Sequence, residues 1–365
     1  MAQVRLGLDV AQASPPLTGA CPSLPIWLGL FAGLLMMVGG MWDVSWHRTI
    51  GRDTFGSPPH LLLYSGVSVM GVVCIAVVGR TTMGRDLGPR LDPTLVDLWG
   101  LRAPLGFAIA GFGVLGILLS APIDEWWHRI FGIDVTVWSP PHLFAIAAAA
   151  AIRLGLILAL AREMHLAGQD APRPWLGLSW RRTTVAQWVQ LFLFSLLLGN
   201  LTFALGESDY LAASRDPFLY PILASLIVPV VLIAGVRSLG RVGSATLIVL
   251  LLLARREIVS VVLLATDFIP PSPAPLYLVP AAGVDFWFWM VRRTPHARRM
   301  SVMAGVLFAW VFIVTEYFYT GYLAGVFWSM SPLVVATPLA CGAGAVSAWA
   351  GYHLFKVSSP MMTDS

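Results

Sequence analysis

The sequence predicts an all-α, polytopic integral membrane protein, a helical bundle of about ten transmembrane helices built from helix-hairpin repeats. Three observations predict it. Of 365 residues, 57% are hydrophobic and only 12% charged, with a mean hydropathy of +0.77, whereas soluble domains carry about 25% charged residues. Apolar stretches of ~20 residues, the length that crosses a bilayer, recur along the whole chain. A hairpin-sized pattern, Asp-x-x-x-His followed by Ser-Pro-Pro-His, occurs twice in the first 142 residues.

Hydropathy places spans near 25–47, 59–79, 104–128, 140–161, 185–205, 217–236, 242–266, 276–291, 300–319 and 333–354. The expected organisation is a cytoplasmic N-terminal tail over 1–24 and duplicated transmembrane hairpins, four helices, over 25–163. A cytoplasmic loop over 164–184, a second bundle of about six helices over 185–354 and a cytoplasmic tail over 355–365 complete it. Arg80, Arg85, Arg90, Arg102, Arg162, Arg173, Arg181, Arg182, Arg237 and Arg241 fall on one side of these spans, as do Arg292, Arg293, Arg298, Arg299 and Lys356. The other side keeps Arg48, Arg52, Arg129 and Arg215. Basic residues concentrate in cytoplasmic loops, so both termini are expected in the cytoplasm of a multi-pass cell (inner) membrane protein. The net charge of +4 is then a topology signal, and no nucleic-acid partner is expected.

Cys21, Cys74 and Cys341 are scattered without disulfide or metal spacing. Thr18-Gly19-Ala20-Cys21 has no apolar segment before it, so no cleaved signal is expected.

The repeat carries the chemistry. Asp43-Val-Ser-Trp-His47 leads to Ser57-Pro58-Pro59-His60, and Asp124-Glu-Trp-Trp-His128 leads to Ser139-Pro140-Pro141-His142. Residues four apart share a helix face, so each acid stands beside the histidine that follows it. Serine suits an N-cap and proline the first helical turn. His60 and His142 therefore fall in the first turn of the next helix, where the helix dipole favours neutral imidazole, the metal-binding form. Each hairpin can converge one carboxylate and two imidazoles: Asp43, His47 and His60 in one, Asp124, His128 and His142 in the other. The competing reading is a solvated interface with Trp46, Trp126 and Trp127 as belt aromatics. Against it, four of the seven histidines fall in matched constellations, and ionisable groups within spans are costly and by default functional. His165, His296 and His353 lack such a motif and read as structural. The donor set suits iron, copper or zinc. A pseudo-two-fold packing of the repeats would pool all six ligands around one dinuclear centre, an arrangement slightly preferred over two separate ions. Glu316, Thr320, Ser331-Pro332 and Val334 have the spacing of a third, eroded copy.

Asp43-Val-Ser-Trp-His47, then Arg52-Asp53-Thr54, then Pro58-x-His60 resembles the metal-site segment of the C subunit of the copper membrane monooxygenases, the particulate methane and ammonia monooxygenases. The likeness covers about 25 residues. It implies copper ligation by Asp43, His47 and His60 and an oxygen-activating, copper-dependent monooxygenase that works with partner subunits. The second copy lacks the Arg-Asp-Thr triplet, and its histidines are 14 positions apart rather than 13.

The expected function is thus a membrane oxidoreductase that oxidises a small apolar substrate with dioxygen at an extracytoplasmic Asp-His-His site, served by an electron donor or partner subunits. The alternatives are a transporter or metal-delivery protein, for which duplicated hairpins and mid-span charges are apt, and a non-catalytic subunit with a structural metal. Gly111-Phe-Gly113-Val-Leu-Gly116 lies inside a span and reads as close helix packing rather than a dinucleotide loop. The mid-span run Arg255-Arg256-Glu257 calls for a partner. One carboxylate among Glu257, Asp285 and Glu316 is expected within salt-bridge reach of Arg255 or Arg256.

Overall fold

The structure, a computed structural model, describes residues 21–51, 54–84, 94–132, 137–167, 176–181, 183–207, 216–271, 275–294, 296–325 and 327–358. Arg52, Asp53, Arg85, Arg90, Arg173, Arg182, Arg215 and most of both expected tails lie outside the described residues.

Ten substantial helices fall on the ten apolar stretches. They are α1 (Leu24–Thr49), α2 (Pro58–Thr82), α3 (Leu105–Phe131), α4 (Pro140–Leu166), α5 (Val185–Leu201), α7 (Leu219–Leu239), α8 (Ser244–Ala265), α9 (Leu278–Val291), α10 (Ala297–Ala324) and α11 (Met330–Ser358). A single-turn helix α6 (Phe203–Glu207) follows α5. Seven of these helices are long and apolar enough to cross a membrane, which is compatible with a multi-pass helical bundle. α8 carries Arg255, Arg256 and Glu257, and α9, at 14 residues, is about 21 Å long, short of a ~30 Å hydrocarbon core.

One element departs from the all-α expectation. Between α2 and α3, β1 (Leu95–Leu98) pairs antiparallel with β2 (Leu101–Pro104). Trp99 and Gly100 turn the hairpin with φ of 52° and 86°, the positive values of a two-residue primed turn. Arg102 N–H and carbonyl both bond Thr82 Oγ1, docking the hairpin on the end of α2.

Small residues set the crossings. A Cβ on Gly113 would lie 2.6 Å from the Ala148 carbonyl, one on Gly106 2.5 Å from that of Gly155, and one on Gly116 2.8 Å from Ala148 Cβ. Gly113 and Gly116 of the three glycines read as packing residues, joined by Gly106, thus bring α3 and α4 close, while Gly111 faces Cys74 of α2. In the first hairpin Gly66 meets the Ala32 carbonyl and Gly39 the Leu63 backbone. The α10–α11 hairpin repeats this through Gly305 and Gly344, and Gly305 stands eleven residues before Glu316 as Gly113 does before Asp124.

Contacts between connections sort the helix ends into two sets. At the end bearing both motifs, Ser45 and Arg48 of α1 bond the carbonyls of Ile269 and Pro270 after α8. Trp138 before α4 bonds Ala204 O of α6, and Trp328 before α11 packs on Tyr220 of α7. At the opposite end Ser23 bonds Glu163 of α4, and Arg237 of α7 bonds Ser301 and Ala297 of α10. Among the described residues that opposite end carries Arg80, Arg102, Arg162, Arg181, Arg237, Arg241, Arg292, Arg293, Arg298, Arg299 and Lys356, and the motif end Arg48 and Arg129.

Candidate metal centres

In both hairpins the carboxylate at the end of one helix meets the histidine at the start of the next. Asp43 Oδ1 lies 3.2 Å from His60 Nε2 and 3.9 Å from His47 Nε2. Asp124 Oδ1 lies 3.4 Å from His142 Nε2, and its Oδ2 lies 3.4 Å from His128 Nε2. Asp124, His128 and His142 each offer a ligand atom, all within 4.8 Å of one another. All six side chains are partly exposed, from 22% for His60 to 41% for His47.

Among the described residues Asp124, His128 and His142 gather as one group of three within the second hairpin. In the first hairpin Asp43 stands between His60 and His47. The second set is also the tighter one, although the first bears the closer family likeness.

Backbone geometry explains how the imidazoles are aimed. Ser57 and Ser139 occupy the N-caps with extended ψ of 149°, followed by two prolines. Neither hydroxyl makes a cap bond: the proline at the second helical position has no N–H to give, and the hydroxyl does not take that of His60 or His142 at the third. The serine carbonyls instead begin the helices, accepting from Leu61 and Leu143. His60 Nδ1 is 3.0 Å from the Thr54 carbonyl, and His128 Nδ1 is 3.1 Å from the Gly132 carbonyl. A carbonyl only accepts, so both Nδ1 atoms carry the proton. In neutral imidazole Nε2 is then a bare lone pair, and it faces a carboxylate oxygen.

Two facing lone pairs call for a positive charge between them, either a metal ion or the second proton of an imidazolium. Asp43 Oδ1 and Asp124 Oδ1 are buried and accept no hydrogen bond, a costly state for a carboxylate oxygen. A tetrahedral ion with ligands at ~2.0–2.1 Å has ligand-to-ligand edges of about 3.4 Å, which the two Asp124 contacts match. The residues fit a metal.

Between the hairpins, α2 and α3 diverge around a cavity of about 940 Å³. Thr54, whose carbonyl anchors His60, forms part of its wall with Phe55, Tyr64, Leu118 and Pro122. Phe55 and Tyr64 stack at 5.0 Å, and the Glu125–Arg129 ion pair, 2.9 Å, also lines it. Pro122 cannot donate to the carbonyl four residues earlier, that of Leu118. The proline inside α3 thus also lines this cavity. Phe55, Tyr64, Leu118 and Pro122 were not singled out by spacing or composition.

Of the two mid-span arginines, it is Arg255 that departs from the expectation. Among the described residues no carboxylate reaches Arg255, which donates to the Ser195 carbonyl at 2.6 Å and to Met37 Sδ. Asp285 accepts from Gly243, Ala245 and Thr246 at the start of α8, capping it from α9. Glu316 accepts from Tyr220 Oη at 3.2 Å and Leu276 N at 3.0 Å. The acid of the third, eroded copy thus has hydrogen-bond donors where the other copies have imidazoles.

No family model, curated protein or solved structure matches the chain.

Proposed function

We propose that this chain is a multi-pass membrane oxidoreductase that holds two separate metal ions and oxidises a small apolar substrate with dioxygen. The observation that carries the metal sites is a carbonyl-anchored imidazole facing the carboxylate in each hairpin, His60 against the orphaned Asp43 Oδ1 and His128 against Asp124 Oδ2, with the orphaned Asp124 Oδ1 beside His142. Asp43, His47 and His60 hold one ion and Asp124, His128 and His142 the other. Copper is favoured over iron or zinc by the resemblance of the first motif to the copper membrane monooxygenases. When bound, copper supplies one-electron chemistry toward dioxygen.

The protein's own part is positioning. The Thr54 and Gly132 carbonyls fix the tautomers of His60 and His128, as outer-shell partners of metal-bound histidines do. The two aspartates supply the negative charge that stabilises a cation near the hydrocarbon edge. The cavity between α2 and α3 offers apolar walls beside the first set, reachable by a substrate dissolved in the bilayer. The electron pair that monooxygenation consumes comes from an external donor, a quinol or a partner subunit.

Ten spans, α1 to α5 and α7 to α11, cross the cell (inner) membrane. The arginine-rich end is cytoplasmic and the motif end extracytoplasmic. Reporter fusions after Arg90 and after Gly132 are expected in opposite compartments. Matching compartments would overturn the topology and move the metal sites.

Purified protein reloaded with copper is expected to carry about two equivalents by elemental analysis. In liposomes, oxygen uptake should rise when a quinol and a small alkene are both supplied. Failure to bind metal overturns the sites. Loaded protein that consumes no oxygen overturns the oxidase reading, and copper accumulation inside the liposomes would replace it with transport.

A further inference from the structure

Among the described residues, two arginines lie deep in the bundle without a counter-charge. Arg153 of α4 is 3% exposed and Arg255 of α8 is 8% exposed. Among the described residues neither has a carboxylate within salt-bridge reach. Arg153 donates to the carbonyl of Ala149, one turn back in its own helix, and Arg255 to Ser195 O and Met37 Sδ. Three hydrogen bonds therefore serve two guanidiniums, each of which has five N–H donors. Both Nε atoms are buried and bond nothing.

The two side chains converge on one region. Arg255 reaches α5 at Ser195 and α1 at Met37, and it fills the space that a side chain at Gly199 would take, 2.1 Å from an ideal Cβ there. α5 bonds α4 within a turn of Ala149, whose carbonyl takes the Arg153 side chain, through Asn200 to the Ile146 carbonyl. Arg153 is near enough to Arg255 for their charges to repel. Arginine does not deprotonate in proteins, and carbonyls or a thioether satisfy donors without cancelling charge. Two like charges in a low-dielectric interior need a negative partner.

We propose that a small inorganic anion of halide size, chloride in the first instance, binds between Arg153 and Arg255 and ties the metal hairpins to the second helical bundle. α1 and α4 come from the hairpins and α5 and α8 from the second bundle, so the site bridges the seam between them. The near-complete enclosure of both guanidiniums selects a small ion over an organic acid. Water could satisfy the donors but not the charge, and this difference is what the experiment reads.

The full chain, purified in detergent with gluconate as the only anion, is titrated with sodium chloride or sodium bromide at constant ionic strength. Thermal unfolding is followed by tryptophan fluorescence. A saturable rise in Tm is expected with either halide. In Arg153→Gln and Arg255→Gln the halide concentration at half-effect should rise about tenfold or more, whereas Arg255→Lys, which keeps the charge, should retain most of the response. No halide-specific rise, or an equal rise in the glutamine variants, overturns the site. Should the glutamine variants fail to fold, bromide-treated wild-type crystals decide it. An anomalous peak between the two guanidiniums supports the site and its absence there overturns it.

Discussion

Asp124→Asn is expected to empty the α3–α4 hairpin of metal while leaving the α1–α2 hairpin loaded. The carboxylate divides its oxygens between two imidazoles, Oδ1 toward His142 and Oδ2 toward His128, each at 3.4 Å. Asparagine keeps the shape but removes the charge, and its amide nitrogen would turn a donor toward the site. Loss of a supporting outer-shell partner already weakens metal binding by about 10–100-fold, so loss of the central ligand should exceed ~100-fold. Competitive chelator titration reads this directly. The complementary substitution is His60→Ala. With two separate sets, it should leave about one equivalent bound at Asp124, His128 and His142. If His60→Ala strips both ions, the sites are coupled and the separate arrangement fails.

The hairpins were legible because their signals are local. Asp-x-x-x-His fixes one face of one helix, and Ser-Pro-Pro-His starts the next, so a short turn suffices to bring acid and imidazole together. Which set closes more tightly was not legible, since it depends on the second anchor of each. In the second hairpin α3 runs on to Phe131, and Gly132 at φ 87° accepts from the first histidine, His128. In the first hairpin it is the second histidine, His60, that is anchored, by Thr54, and His47 stands off at 3.9 Å. The ten substantial helices, seven of them long enough to span, followed from hydropathy alone. The β1–β2 hairpin did not, because its turn places a tryptophan at positive φ, where turn rules expect glycine or asparagine. Arg153 went unread because one arginine barely lowers the mean hydropathy of α4, yet a lone charge in such a span was the available signal. The partners of Arg255, Asp285 and Glu316 were beyond reach for a simpler reason: each comes from a helix or connection distant in the chain.

Gly113→Leu is expected to cost the protein both stability and its second metal ion. Even the Cβ would lie 2.6 Å from the Ala148 carbonyl and 2.8 Å from the Ile152 backbone nitrogen. Those are backbone atoms of α4 and cannot rotate aside, so the helices must separate. Inserted bulk in a packed core typically costs 1–3 kcal/mol, and a backbone clash belongs at about the upper limit or beyond. Asp124 lies three turns further along α3, and His142 lies less than two turns from Ala148 on α4. Separating the helices at Gly113 therefore moves the acid away from the imidazole. Metal ligation tolerates only ~0.2 Å of error in each bond, so binding should fail before the fold does. Gly342→Ala in α11 is the control, because a Cβ there meets nothing within 4 Å, and alanine favours a helix over glycine by about 1 kcal/mol. The expected result is a lowered Tm and about one equivalent of metal for Gly113→Leu, against an unchanged or raised Tm and about two equivalents for Gly342→Ala. Retention of both ions by Gly113→Leu would mean that the glycine crossing does not set the distance between Asp124 and His142.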